Sequence, residues 1–179
     1  MTETNIDLIE LHKLNAEVLT EAHDRYYSGI YRYVRYRVGE PMLSEDISSE
    51  VFVRLIESLH EGRGPKSSLR GWLFGTASNL INDHFRKAYR QKETDLSEEI
   101  RSDDQDLQHQ AEKNEVLDAV LQSSRTLTQD QQHVLALRFG SELSLLETAE
   151  IMAKKPNAVK ALQFRALNAL RKTIGDDIA

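Results

Sequence analysis

Apolar residues recur three or four positions apart along almost the whole chain, and this spacing constrains the fold more than any other feature of the sequence. A period near 3.6 places apolar side chains on one face of a helix, whereas a half-buried strand needs strict alternation. Only three prolines and eight glycines, the residues that weaken helices most, occur in 179 residues. The sequence therefore predicts a protein that is nearly all α-helical.

The same spacing predicts where the helices lie. A short amphipathic segment comes first, at 6–12. The longer helices are predicted at 15–38, 44–60, 68–92, 110–123, 129–140, 145–153 and 157–174.

One segment, 93–115, departs from this pattern because it is strongly acidic. It holds nine acidic residues against Arg101 and Lys113, a net charge of −7, and has too few apolar residues to build a packed element. We therefore expect a flexible acidic linker there. It would separate a helical domain at 1–92 from a second at 116–179, each burying its own modest core.

The linker also explains why the chain as a whole is acidic. The net charge is −6, so the rest of the chain carries +1. In 63–92 the cations are Arg63, Lys66, Arg70, Arg86, Lys87, Arg90 and Lys92, against one anion, Asp83. In 144–172 they are Lys154, Lys155, Lys160, Arg165, Arg171 and Lys172, against Glu147 and Glu150. A cation-rich helix face taken alone is typical of a solvated surface. Two such faces joined by a flexible linker favour contact with two separate stretches of phosphate backbone.

Several classes of function find no support in the sequence. There is no cysteine, so disulfides and thiolate zinc sites are excluded, and the six histidines lack metal-ligand spacing. Asp83 and His84 are adjacent on a helix and point in different directions, so they form no catalytic pair. The start of the chain is no signal peptide, and no run of eighteen apolar residues occurs. We expect a cytoplasmic protein that is not an enzyme and has no cofactor, no metal and no membrane insertion.

The second basic segment, SLLETAEIMAKKPNAVKALQFRALNALRK, has the pattern of a helix-turn-helix. Ala149 is the small residue that lets two helices approach, Ala153 falls at the turn, and Pro156 suits the first turn of the second helix. Val159 and Leu162 fall on its inner face. The residues predicted on the outer side and at the start of the second helix are Asn157, Ala158, Lys160, Ala161, Gln163 and Phe164. The alternative is an ordinary helical hairpin whose core is Leu145, Leu146, Ile151, Met152, Val159 and Leu162.

A second pattern lies in GWLFGTASNLINDHFRK, where aromatic residues, then amides, then cations follow one another along one helix. Aromatic rings stack on unpaired bases, amides bond base edges and cations hold phosphates, so the order suits a melted DNA strand. The alternative is that Trp72, Leu73, Leu80, Ile81 and Phe85 form core, which we expect of several of them. The residues expected to point outward are Asn79, Asn82, Asp83, Arg86 and Lys87.

Three segments in this order resemble the two conserved domains of the extracytoplasmic-function (ECF) group of bacterial sigma factors. They are SEDISSEVFVRLIESL, SLRGWLFGTASNLINDHFRK and LTQDQQHVLALRFGSELSLLETAEIMAKKPNAVKALQFRALNALRK. The resemblance covers about 15–92 and 112–174. It implies a factor that binds core RNA polymerase and directs promoter-specific transcription initiation.

The resemblance also implies three sets of site residues. The helix at 44–60 would dock on the clamp helices of the largest polymerase subunit through Asp46, Ile47, Glu50, Val51, Phe52 and Arg54. The loop and helix that follow would read the −10 element as melted strand through Arg63, Lys66, Ser68, Arg70, Trp72, Asn79, Asn82, Asp83, Arg86, Lys87 and Arg90. The helix-turn-helix would bind the −35 element as duplex through Lys154, Lys155, Asn157, Ala158, Lys160, Ala161, Gln163, Phe164 and Arg165.

This chain departs from the family pattern at two places. Ser49 stands where the family often has glutamine, and VKALQF replaces the usual serine and arginine after VK, so no consensus promoter is carried over. The resemblance further implies an anti-sigma partner and a monomer when free of polymerase. Two alternatives stay open: a helix-turn-helix regulator that works without polymerase, and a protein-interaction module whose basic faces are incidental.

Overall fold

The computed structural model describes residues 6–94 and 126–176, and in these ranges the chain forms seven α-helices and no strand. The helices are α1 (Leu8–His12), α2 (Ala16–Val38), α3 (Pro41–His60), α4 (Leu69–Thr94), α5 (Gln129–Leu135), α6 (Leu145–Ile151) and α7 (Pro156–Asp176). A π-helical turn, Ala136–Gly140, continues α5. The all-α prediction is confirmed. The predicted linker lies almost entirely outside the described residues, and the predicted helix 110–123 lies wholly outside them.

The helices begin where the sequence supplies caps. The Asn15 side chain accepts a hydrogen bond from the Glu17 amide at 2.9 Å and starts α2. Thr128 and Ser144 form capping boxes at the starts of α5 and α6. Helix α3 begins at Pro41, three residues before the predicted start, because Pro occupies its first position and Ser44 is buried inside it.

The first half of the chain is a three-helix bundle. Helices α2, α3 and α4 pack on one another around Ile30, Val51, Leu55, Leu73 and Ile81, all almost fully buried. The exposed polar sides of α3 and α4 are thereby fixed on the outside of the bundle.

The second half packs around Val134, Val159 and Ala166, which join α5 and α7. The sequence predicted that each half buries a core of its own. The structure differs, because Leu137 and Leu143 of the second half belong to the core cluster of the first. Helix α2 contacts the π-helical turn, and α4 contacts α6. The two halves are therefore packed together in this structure.

None of the helices in the described ranges is both long enough and apolar enough to cross a bilayer.

Candidate nucleic-acid interface

The outer side of α4 carries the polar residues that the sequence predicted to point outward. Asn79, Asn82, Asp83, Arg86 and Lys87 are all exposed. Arg86 Nη1 lies 3.2 Å from Asp83 Oδ1, one helical turn away. An exposed pair of this kind contributes little stability, so an incoming phosphate could replace the carboxylate.

The aromatic residues at the start of α4 serve the core more than the surface. Phe74 is buried edge-on against Tyr33, with ring centroids 5.6 Å apart. Trp72 is half-buried against the core cluster of the first half. The sequence predicted that several apolar residues of this helix form core, and this is confirmed for Leu73 and Ile81, which are fully buried.

The loop before α4 divides into solvent-facing cations and residues that hold it in place. Lys66 is exposed, and Arg63 is exposed beside Glu61, with which it forms an ion pair. Ser68 instead caps α4 by accepting a hydrogen bond from the Gly71 amide at 3.0 Å. Arg70 donates to the Ser141 carbonyl of the second half, so in this arrangement its guanidinium is already engaged.

Three of the residues predicted to bind polymerase are buried in the bundle. Ile47, Val51 and Phe52 are at most 9% exposed, because the apolar face of α3 packs against α2 and α4. The Phe52 ring lies 4.9 Å from the His23 ring, centroid to centroid. These three side chains support the helix and do not present a surface to a partner.

The outward side of α3 retains the charged members of the predicted set. Asp46 and Arg54 are exposed, and Glu50, half-buried, accepts from Arg54 Nε at 2.9 Å. Val53 and Ile56 are exposed on the same helix. They are apolar candidates that the sequence pattern did not single out for contact.

The helix-turn-helix has the geometry that the sequence predicted. Ala149 is buried where α6 meets α7, and Ala153 adopts a left-handed conformation, φ 50°, in the turn. Helix α7 begins at Pro156, and its residues Val159 and Leu162 are buried on its inner face. The second helix is therefore held with one side free.

The free side of α7 carries most of the predicted duplex-binding residues. Those that are exposed there or in the turn before it are Lys154, Lys155, Asn157, Ala158, Lys160, Ala161, Phe164 and Arg165. Lys154 Nζ lies 3.0 Å from Asp130 Oδ2. Gln163 differs from the expectation, because it is half-buried and its Oε1 accepts from Arg138 Nε at 3.1 Å.

A buried polar contact that the sequence did not predict joins the two halves. His133 Nε2 lies 2.9 Å from the Tyr33 hydroxyl and 3.3 Å from the Ser78 hydroxyl. Burial, with a smaller contribution from the nearby Arg37 guanidinium, lowers the pKa of His133 to about 3. No local sequence signal identifies such a contact, since its partners lie 100 and 55 residues away.

Within the part of the chain that the structure describes, no three His, Cys, Asp or Glu side chains come together as metal ligands would. On both exposed surfaces cations outnumber anions, and the two acidic groups there, Asp83 and Asp130, each lie beside a cation, so these surfaces suit a polyanion.

Comparison with known proteins identifies both halves. The family model for sigma-70 region 2 matches residues 22–91, and the model for sigma-70 region 4 matches residues 125–172. The ECF RNA polymerase sigma factor BldN of Streptomyces coelicolor is 34% identical over 168 residues, which are 90% of this chain and 62% of BldN. The ECF RNA polymerase sigma factor SigX of Bacillus subtilis is 31% identical over 157 residues, 84% of this chain and 80% of SigX.

A solved structure has a similar fold. The sigma factor RpoE from Bartonella quintana, in complex with the anti-sigma factor NepR, superposes with a TM-score of 0.70 at 17% identity. The match covers 87% of this chain and 96% of RpoE. At this identity the likeness concerns the fold.

Proposed function

The chain belongs to the ECF group of RNA polymerase sigma factors, and on that premise we propose that it binds core polymerase and directs promoter-specific initiation. In this proposal α4 reads the −10 element as melted strand, and α7 reads the −35 element as duplex. The observation that carries it is that both helices bury an apolar side and expose polar groups on the other: α4 exposes the amides of Asn79 and Asn82 with cations, and α7 exposes Asn157 with cations. Such sides can hold phosphates and reach base edges.

Contact with polymerase is assigned to the outward side of α3. Asp46, Glu50 and Arg54 supply charge there, and Val53 and Ile56 supply exposed apolar surface beside them. A polar rim around a small apolar centre is the usual composition of a protein interface. Ile47, Val51 and Phe52 act by holding this side in position.

The test is run-off transcription from genomic fragments with core polymerase, with and without the protein. The variant Asp46→Ala with Glu50→Ala should lose most protein-dependent transcripts, because the docking surface loses its anions. The control is Glu17→Ala with Asp24→Ala, which removes two exposed anions from α2 and should leave the transcripts unchanged. Equal activity of both double variants would contradict the docking assignment.

The same experiment separates this proposal from the two alternatives. A regulator that works without polymerase would bind duplex DNA yet yield no protein-dependent transcript. A pure interaction module would yield no protein-dependent transcript either, and a separate DNA-binding titration would show none of the steeply salt-dependent binding that phosphate contacts give. Because core polymerase is the proposed partner, we place the protein in the cytoplasm. We also propose that it is a monomer when it is free of polymerase.

An anti-sigma partner remains a prediction. An apolar groove of about 340 Å³ between the halves, lined by Tyr36, Phe139, Leu167 and Leu170 among others, supports it. Phe139 and Leu167 are exposed there. A groove of this kind fits the apolar face of a partner helix.

A further inference from the structure

The C-terminal half of α4 carries a stripe of residues whose chemistry the proposed function does not yet use in full. Asn82, Phe85, Arg86, Tyr89 and Arg90 lie at positions i, i+3, i+4, i+7 and i+8, so they share one face of the helix. Together with Gln129 of the second half they line an open groove of about 520 Å³.

Tyr89 is the unusual member of this stripe. Its side chain is 66% exposed, and it belongs to neither core cluster, whereas Phe85 packs against the core of the first half. A ring that is two-thirds exposed gains little from the hydrophobic effect that holds the buried residues of this helix. The other polar residues of α4 that line the groove are Asn82, Arg86 and Arg90, an amide and two guanidinium side chains.

These groups match the parts of one nucleotide. An exposed aromatic ring stacks on the face of any unpaired base, and guanidinium groups bond phosphate oxygens and can lie over the ring. An amide donates to and accepts from base edges. In duplex DNA the base faces are already stacked, so the ring of Tyr89 is of use only for an unpaired base.

We propose that this groove binds a nucleotide of the melted strand, with its base stacked on Tyr89, its phosphates held by Arg86 and Arg90, and its base edge near Asn82. The inference rests on the proposed function, because it extends the path of the strand along α4. Tyr89 lies ten residues beyond Asn79, about 15 Å along the helix axis. The nucleotide that stacks on Tyr89 is therefore a different one from the nucleotide whose base Asn79 reads. The groove's main residues belong to α4 alone, so the site persists if Gln129 moves away with the second half.

The test compares the binding of two probes to the full chain: a short oligothymidylate and an abasic oligonucleotide of equal length and charge. The wild-type protein should prefer oligothymidylate. Tyr89→Leu keeps apolar volume but removes the aromatic face, and should weaken oligothymidylate binding about 5- to 150-fold while leaving the abasic probe unchanged. Tyr89→Phe keeps the ring and should bind both probes like the wild type.

Two further variants locate the effect. Arg86→Gln should weaken both probes alike, because it removes a phosphate contact. Asn79→Ala should weaken oligothymidylate binding at a separate position of the strand. If Tyr89→Leu keeps the wild-type preference while Asn79→Ala loses affinity, the stacking site is wrong and the proposed function stands. If the wild-type protein itself does not distinguish the two probes, strand reading by α4 fails together with the stacking site.

Discussion

Arg138 joins two parts of the helix-turn-helix that are far apart in sequence. Its guanidinium donates to the Leu143 carbonyl just before α6 and, through Nε, to Gln163 Oε1 in the middle of α7. We expect Arg138→Ala to lower the free energy of unfolding by about 1–3 kcal/mol, because both partly buried acceptors lose their donor. Urea denaturation measures this.

The matched control for Arg138 is Arg171→Ala, which removes an exposed cation from the same helix that carries Gln163. It should change the free energy of unfolding by less than about 0.5 kcal/mol. Equal effects of the two substitutions would mean that Arg138 matters only through its charge.

Individual residues could be assigned to a face from the sequence, but their partners could not. The helical period placed Asn79 and Arg86 outside correctly, since it fixes direction around the helix axis. It also placed Gln163 on the outer side, where the structure finds it half-buried because Arg138, 25 residues earlier, bonds it. Leu146, a core residue in the hairpin alternative, is 66% exposed. Such outcomes depend on tertiary contacts that no local pattern contains.

The turn between α6 and α7 allows a prediction at the scale of an element. Ala153 holds φ at 50°, a conformation that costs an L-residue with a Cβ roughly 1–2 kcal/mol. Ala153→Gly relieves this cost, partly offset by the greater chain entropy of glycine when unfolded, and should stabilise the protein by about 0.5–1 kcal/mol. Thermal unfolding measures the gain.

Ala158→Gly is the control, because it makes the same chemical change inside α7, where φ is helical. It should destabilise the protein by about 0.5–1 kcal/mol. Opposite signs for the two substitutions are the expected result, and two losses would contradict the strain assigned to the turn.

The elements themselves were largely predictable. The starts of α2 and α5 follow from Asn15 and Thr128, because a capping side chain is a local signal. The π-helical turn at Ala136–Gly140 was predicted only as the end of a helix. In this turn Leu137 packs into the core of the first half. Because that contact joins residues far apart in the sequence, no local pattern could predict the shape of the turn.

At the scale of the whole molecule, the sequence predicted that each half buries its own core, whereas in the structure part of the second half packs into the core cluster of the first. Leu137 and Leu143 have the spacing of core residues in either arrangement, so the sequence could not indicate which half they pack against. The promoter elements that the two halves are proposed to read lie about 85 Å apart along B-form DNA. On the proposed function, we therefore expect the contact between α4 and α6 to be lost when both elements are read at once.

The buried histidine between the halves makes the stability of this packed arrangement depend on pH. Tyr33, Ser78 and Arg37 of the first half and Asp130 and Lys154 of the second surround or influence His133. Its pKa is about 3 in the packed arrangement and would return to about 6.5 in water, so protons bind more readily once the halves separate or unfold. The stability from neutral His133 is thus fully present above pH 6.5 and is lost as the pH falls below it.

We expect this single residue to lower the free energy of unfolding by about 1.4 kcal/mol between pH 7.5 and pH 5.5. Urea denaturation at the two pH values measures the step in the wild-type protein and in His133→Asn, which does not titrate. The variant should be less stable at pH 7.5, because the Tyr33 hydroxyl loses a partner, and should lack the step of 1.4 kcal/mol. His60→Gln, at an exposed position, should keep the wild-type step. A step that survives unchanged in His133→Asn would mean that other groups carry the pH dependence and that His133 is already solvated in the native protein.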